Sequence, residues 1–192
     1  MFKIFFYINE LNDIQKENLN QLKNINIIYR NYQKTDYLSN ALKLQEYCKK
    51  RNFKLYISND EWLAIKLRSY GLYIPSFNNE KKYLKSSLHI IGSAHNEIEL
   101  RKKISQGCKE IFISPIFNTY SDSNKIGKGL NFYQNLMLKF SKIHIHALGG
   151  INEKNIKKII LLKGRGFSSI SMIDKKMKKD FISYLNLIAT NL

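Results

Sequence analysis

Ser114-Pro115-Ile116-Phe117-Asn118-Thr119-Tyr120-Ser121 and, further on, Ala147-Leu148-Gly149-Gly150-Ile151 are the stretches on which the fold reading turns. Each follows a short apolar run of β-forming residues, 110–113 and 142–146, and each then gives way to hydroxyls or glycines. In a chain of repeating strands and helices, that change marks the C-terminal end of a strand, where such proteins bind ligands. Glycine lets backbone N–H groups approach a ligand closely, and helix N-termini just behind them favour anions. The two motifs together point to an α/β protein that handles phosphate.

Outward from these motifs, short apolar runs at 3–8, 26–30, 54–58, 71–74, 88–92, 110–113, 142–146 and 166–170 give eight predicted strands. Helical patterns separate most of them, at 13–22, 37–51, 60–69, 97–106 and 153–163, with a closing helix from about Lys175 to Asn191. In the second helix Leu38, Ala41, Leu42, Leu44 and Tyr47 fall on one side. This alternation predicts βαβ units and a parallel sheet, and eight strands predict closure into a compact (β/α)8 TIM barrel in a single domain, 1–192. A doubly wound open sheet is the alternative. The connection after Ile74 is the least regular, since 78–85 makes at most a short helix. The longest loop, 118–129, directly follows the first motif, and a loop of that length in a small protein is more often functional than idle.

Composition narrows the function classes. With 44% hydrophobic and 24% charged residues the chain is no candidate for disorder. It has no long uncharged apolar run of membrane-spanning length. The apolar opening, Phe2 to Ile8, is too short for a secretion signal and reads as a buried first strand. Cys48 and Cys108 fall in predicted helices without metal-ligand spacing, which predicts reduced core thiols in a cytoplasmic protein. The net charge of +17 comes with heavy use of Lys, Asn and Ile together. Its basic runs, 101–103, 154–158 and 175–179, read as solvated helix faces. Such charge attracts anions in general, but no nucleic-acid-binding signature accompanies it, so no specific nucleic acid is expected. The sequence leaves a homo-oligomer open.

Several strand ends carry groups with chemistry. Arg30 closes the second predicted strand and is placed to hold an anion with its guanidinium, or to sit as a surface charge. Asn59 and Asp60 close the third, where Asp60 either caps the next helix or serves as a Mg2+ ligand at the mouth. Ser93 and His95 close the fifth, with His95 either an acid/base group or a cap. His144 and His146 share a facing on the seventh strand without a third metal ligand nearby. Gly149 and Gly150 after that strand, with the N–H groups of Ile170 and Ser171 after the eighth, have the order of a barrel phosphate site.

These pieces, in this order, resemble the thiamine-phosphate synthase/TenI family of compact (β/α)8 enzymes, over about Ile27 to Ile173. The resemblance is most specific in SPIFNT (114–119) and ALGGI (147–151). YR at 29–30, SND at 58–60, GLYIP at 71–75 and SAH at 93–95 support it. It implies a transferase that couples hydroxymethylpyrimidine diphosphate to a thiazole phosphate with Mg2+ as cofactor, diphosphate leaving as the thiazole nitrogen attacks. By the same resemblance Arg30 holds diphosphate, Asn59 reaches pyrimidine or diphosphate, Asp60 ligates Mg2+, and Ser93 contacts diphosphate or ring. Thr119 and Ser121 line the thiazole-phosphate pocket, and Gly150 with the Ile170–Ser171 backbone holds its phosphate.

The chain also departs from the family pattern. Tyr32 replaces a lysine after the second strand, Asn78 aligns with a second Mg2+ aspartate, and Asp122 aligns with a lysine. Lys125 or Lys128 is in reach to substitute for the last. The thiazole tautomerase branch needs neither Mg2+ nor diphosphate, but its catalytic histidine aligns with Pro115, leaving His95 or His146 for proton transfer. The expectation is a synthase-like transferase with a thinned diphosphate end. A TenI-like tautomerase or isomerase and a non-catalytic phosphometabolite-binding protein are the alternatives.

Overall fold

The computed structural model describes residues 2–31, 36–80, 82–119 and 126–191. Its eight strands, β1 (Lys3–Ile8), β2 (Ile25–Tyr29), β3 (Lys54–Ser58), β4 (Gly71–Ile74), β5 (His89–Ala94), β6 (Glu110–Ile113), β7 (His144–Leu148) and β8 (Gly166–Ser169), close in sequence order into a barrel. Every neighbouring pair is parallel, and β1 closes the ring on β8 with Lys3 opposite Gly166 and Phe6 opposite Ser169. The expected TIM barrel is therefore the fold, and the open sheet is excluded.

Helices α1 (Asp13–Gln21), α2 (Tyr37–Arg51), α3 (Glu61–Lys66), α4 (Glu97–Ser105), α5 (Gly129–Lys139), α6 (Ile156–Leu161) and α7 (Lys179–Asn191) cover the outside. Between β4 and β5 lies only a 3-10 turn (Lys82–Lys85), as the irregular connection predicts. Side-chain caps set several helix starts. Asn12 and Gln15 form a reciprocal capping box on α1, and Asn96 accepts from Glu99 N–H on α4. The buried stripe of α2 is Ala41, Leu44, Gln45 and Cys48, while Leu38 and Leu42 lie on its exposed side. The predicted stripe is thus rotated by part of a turn, because Gln45 turns inward to donate to Leu67 O at 2.8 Å.

The apolar strand runs are continuous because both faces are buried. Along β1, Ile4, Phe6 and Ile8 pack outward under the helices, while Phe5 and Tyr7 point into the barrel with Ile28, Tyr56, Tyr73, Ile91 and Phe112. Several features differ from the sequence reading. β7 runs two residues further, through Ala147 and Leu148, and β5 carries Ser93 and Ala94 within it. The helix α5 follows the long loop and is an addition, and Cys108 lies in the turn before β6 rather than in a helix. Both cysteines are free and buried. No helix among the described residues is long and apolar enough to cross a membrane.

An ion cluster closes the N-terminal end of the barrel. Glu110, 1% exposed, accepts from Lys3 Nζ at 2.5 Å and lies 2.6 Å from His146 Nε2. His89 Nε2 lies 3.4 Å from the same carboxylate, and Tyr56 Oη bonds His89 Nδ1 at 3.3 Å. Burial alone would raise Glu110, but the hydrogen bonds and charges of His146 and Lys3 outweigh it and hold it at about 2. Burial lowers His146, so a neutral ring donating from Nε2 is the state that fits, with Nδ1 left against Gly166. Because the folded value for Glu110 is depressed, its contribution is complete above the ordinary carboxylate value of 4.5 and is lost as pH falls towards 2. Glu110→Gln is expected to cost about 3 kcal/mol at neutral pH. Denaturant melts of both proteins should show that difference shrinking between pH 4.5 and 2.

Candidate active site at the barrel mouth

The C-terminal mouth holds a cavity of about 960 Å³. Its wall on the β6–β7 side is built by a close approach of two backbones. The chain leaving β6 lies against the end of β7, with Ile116 N–H donating to Leu148 O (2.9 Å) and Phe117 N–H to Gly149 O (3.1 Å). A Cβ on Gly150 would stand 2.3 Å from Asn118 O, and one on Gly149 would stand 2.8 Å from Pro115 Cα. Both glycines also have left-handed backbones, φ 91° and 66°. The two motifs that decide the fold therefore touch, and only glycine fits between them. The far end of the long loop is pinned to the same place, by Lys128 N–H to Pro115 O (2.9 Å) and Gly129 N–H to Ile116 O (3.0 Å).

Seven of the site residues expected from sequence line this one cavity: Arg30, Ser93, Thr119, Gly149, Gly150, Ile170 and Ser171. Arg30, just past β2, lays its guanidinium 4.8 Å from the centre of the Tyr7 ring. Ser93 accepts a buried hydrogen bond from Tyr73 Oη at 2.8 Å, which links the mouth to the interior aromatic layer. Thr119, after β6, and the Ile170–Ser171 segment, after β8, also line the cavity. Ser121, Tyr32, Asp122 and Lys125 lie outside the described residues.

Asn59 and Asp60 are not brought into the lining. Asp60 is the N-cap of α3, its Oδ1 accepting from Leu63 N–H at 2.9 Å. Asn59 adopts a left-handed backbone and accepts from Asn78 Nδ2 at 2.5 Å. Asn78 is itself fixed from below, its carbonyl accepting from Lys103 Nζ (2.6 Å) and Gln106 Nε2 (3.1 Å). Burial of Lys103 lowers its ammonium to about 8. This corner is thus a closed amide network. Mg2+ prefers carboxylate oxygens with near-octahedral freedom. One carboxylate engaged in a helix cap and two amides bonded to each other do not fit such a site by themselves. Among the described residues no three His, Cys, Asp or Glu side chains come together as a metal group.

The histidines are similarly committed. His95 lines the cavity, but its Nδ1 lies 3.0 Å from Glu99 Oε2, which also accepts from its N–H at 2.8 Å. His146 is sealed in the barrel against Glu110 and Phe112. Sequence reasoning missed much of the lining, including Tyr73, Glu153, Ser168 on β8 and the basic run at Lys175, Lys176 and Lys178. That run is a loop over the mouth, not the outer face of a helix, since α7 begins at Lys179. Its signal, a run of charge four residues after a Ser-rich strand end, is visible in sequence but equally suits a helix.

An eight-stranded parallel barrel with a large cavity at its C-terminal mouth defines the class: a (β/α)8 protein whose cavity stands at the end where this fold binds ligands. The profile of the thiamine monophosphate synthase family matches residues 11–174, and the chain belongs to that family. It is 28% identical over 169 residues to a thiamine-phosphate synthase of Prochlorococcus marinus subsp. pastoris, covering 86% of this chain and 47% of that protein. A thiamine-phosphate synthase of Pelagibacter ubique is 31% identical over 135 residues, 67% of this chain and 63% of its own length. The chain spans about half the length of the Prochlorococcus relatives it matches. A solved thiamine phosphate pyrophosphorylase from Pyrococcus furiosus superposes with a TM-score of 0.81 over 98% of this chain and 95% of that one. At 15% identity this likeness concerns the fold.

Three substitutions at two positions test the structural roles described here. Gly150→Ala is expected to cost about 2 kcal/mol or more, since it adds both a left-handed penalty and a clash with Asn118 O. Thermal melts measure it. Asp60→Asn keeps an α3 cap and should leave the melting temperature in place, whereas Asp60→Ala should lose about 1 kcal/mol.

Proposed function

We propose that this chain is a synthase-like transferase that joins hydroxymethylpyrimidine diphosphate to a thiazole phosphate, with its diphosphate end thinned relative to the family pattern. The observation that carries the reading is the convergence of Arg30 and Ser93 with Thr119, Gly149–Gly150 and Ile170–Ser171 on one cavity. In this reading the thiazole phosphate lies over the β7 and β8 ends, where glycine backbone and freed N–H groups suit a dianion. The pyrimidine lies towards Tyr73 and Ser93. The carbon–oxygen bond to diphosphate breaks, the methylene becomes cation-like, and the thiazole nitrogen supplies the electron pair for the new carbon–nitrogen bond.

Such a reaction asks the protein for placement and charge stabilisation rather than for a base. That suits a cavity whose lining histidine is held by Glu99 and whose other core histidine is sealed away. Arg30 would stabilise charge on the departing diphosphate, with the Tyr7 ring fixing its guanidinium plane. Asn59 and Asp60 would act on the diphosphate only if the loop after β3 opens, because their side chains are bonded elsewhere. Any Mg2+ would be held chiefly by the diphosphate's own oxygens. The amide pair Asn59–Asn78 favours one second reading, a phosphometabolite-binding protein that retains the monoester end without turnover.

Incubating the chain with both phosphorylated precursors and Mg2+ and measuring released diphosphate tests the proposal. Product is expected, and Arg30→Met should lower its rate about a hundredfold with little change in melting temperature. Binding of thiazole phosphate without any product would select the binding-protein reading.

A further inference from the structure

The loop between β8 and α7, residues 170–178, is held from the opposite side by α1. Asn18, 1% exposed, donates from Nδ2 to the carbonyls of Ile173 (3.0 Å) and Lys175 (2.9 Å). It also accepts at Oδ1 from Met177 N–H (3.0 Å). Gln15, likewise buried, donates to Asp174 Oδ1 at 2.7 Å. Between these bonds the side chains of Ile173 and Met177 enter the core. One amide thus uses both its N–H groups and its oxygen on a segment that has no regular secondary structure of its own. Such bracing leaves the loop a single path across the mouth.

The path matters because of what it carries. Of the Arg and Lys side chains lining the cavity among the described residues, Arg30 stands alone on the β2 side and Lys175, Lys176 and Lys178 all come from this loop. Lys176 is turned to α1, 2.8 Å from Glu17 Oε1. Lys175 and Lys178 are exposed and have no ion pair among the described residues. Ser168 lines the same cavity; 0% exposed and facing the barrel interior, it has a hydroxyl without a hydrogen-bond partner among the described residues. A buried hydroxyl in that state has hydrogen-bonding capacity left for a further partner. An orphaned hydroxyl in the floor and two unneutralised cations at the rim share one complement, an anion with several acceptor oxygens such as a phosphomonoester.

From this arrangement we infer that Lys175 and Lys178 grip the ligand's phosphate and that Asn18 and Gln15 are positioning residues that hold the loop over it. The inference rests on the function proposed above only for the direction in which the ligand lies. It gives the chain a cationic phosphate clamp supplied by its last loop and braced by its first helix.

Inorganic phosphate, titrated into the full chain by calorimetry, tests this without assuming the heterocycle. The wild-type chain should bind it, and K175M/K178M should weaken binding about a hundredfold, tenfold per charged contact, and flatten its salt dependence. The melting temperature without phosphate should stay unchanged. Asn18→Ala, with Gln15→Met as the milder variant, should raise the Kd for phosphate while leaving binding of unphosphorylated hydroxyethylthiazole alone. Equal phosphate affinity in wild type and K175M/K178M, or no phosphate binding by the wild type, overturns the clamp. Phosphate binding that depends on the lysines without any diphosphate release counts against the proposed reaction and leaves the clamp standing.

Discussion

At the end of β7 two pieces of backbone come so close that no side chain fits between them, and the mouth of the barrel is organised around that contact. Gly149 and Gly150 lie against Pro115 and Asn118, and the N–H groups of Ile116 and Phe117 extend the β6–β7 pairing past both strands. Because both glycines carry positive φ, the chain turns sharply into the loop before α6 instead of continuing outward. The same contact fixes where the long loop begins and, through Lys128 and Gly129, where it ends. A cavity wall made of main chain cannot shift rotamer, so whatever lies against it meets a fixed surface.

The two ends of the barrel are built on opposite electrostatic terms. The N-terminal end buries Glu110 with Lys3 and His146 and is closed by aromatic contacts, Phe5 to Phe112 and Phe5 to His146. Its charges are matched internally and have no outlet. The C-terminal end leaves Arg30, Lys175 and Lys178 facing a cavity whose one lining carboxylate among the described residues is Glu153. Stability is concentrated below and unsatisfied charge above, the division expected of this fold. The interior aromatic layer joins them, since Tyr73 donates to Ser93 at the mouth and packs on Phe112 below.

Much of this is legible in the sequence, and the failures have physical causes. The strands are readable because both faces of each are buried, so that Lys-Ile-Phe-Phe-Tyr-Ile at 3–8 carries no helical period at all. The glycine and SPIF motifs are readable because local backbone demands leave few residue choices. What eluded local reading depends on distant partners. Leu38 and Leu42 look like core on α2 until Gln45 finds the Leu67 carbonyl. Lys175 to Lys178 look helical until Asn18, far away in sequence, takes their backbone groups. Asp60 looks equally like cap and ligand because an isolated carboxylate before a helix serves either role, and the capping half of that reading is visible in the Leu63 N–H contact. The helix α5 opens on Gly129 without a side-chain cap, so its start carries no local signal.

The net charge of +17 has little to say about the site until it is located. Much of it lies on exposed helix faces, where salt and water screen it. The informative fraction is the small part that faces a concave surface, because low-dielectric walls focus its field and raise the local concentration of anions. The neutral Asn78 and the cations Lys175 and Lys178 belong to one pattern. The β3–β4 corner has closed into amides bonded to one another, while the β8 corner presents charge without a partner. If the clamp inferred above holds, an anionic ligand entering this mouth would be drawn towards the β8 side, and its orientation would follow from that asymmetry before any specific contact is made.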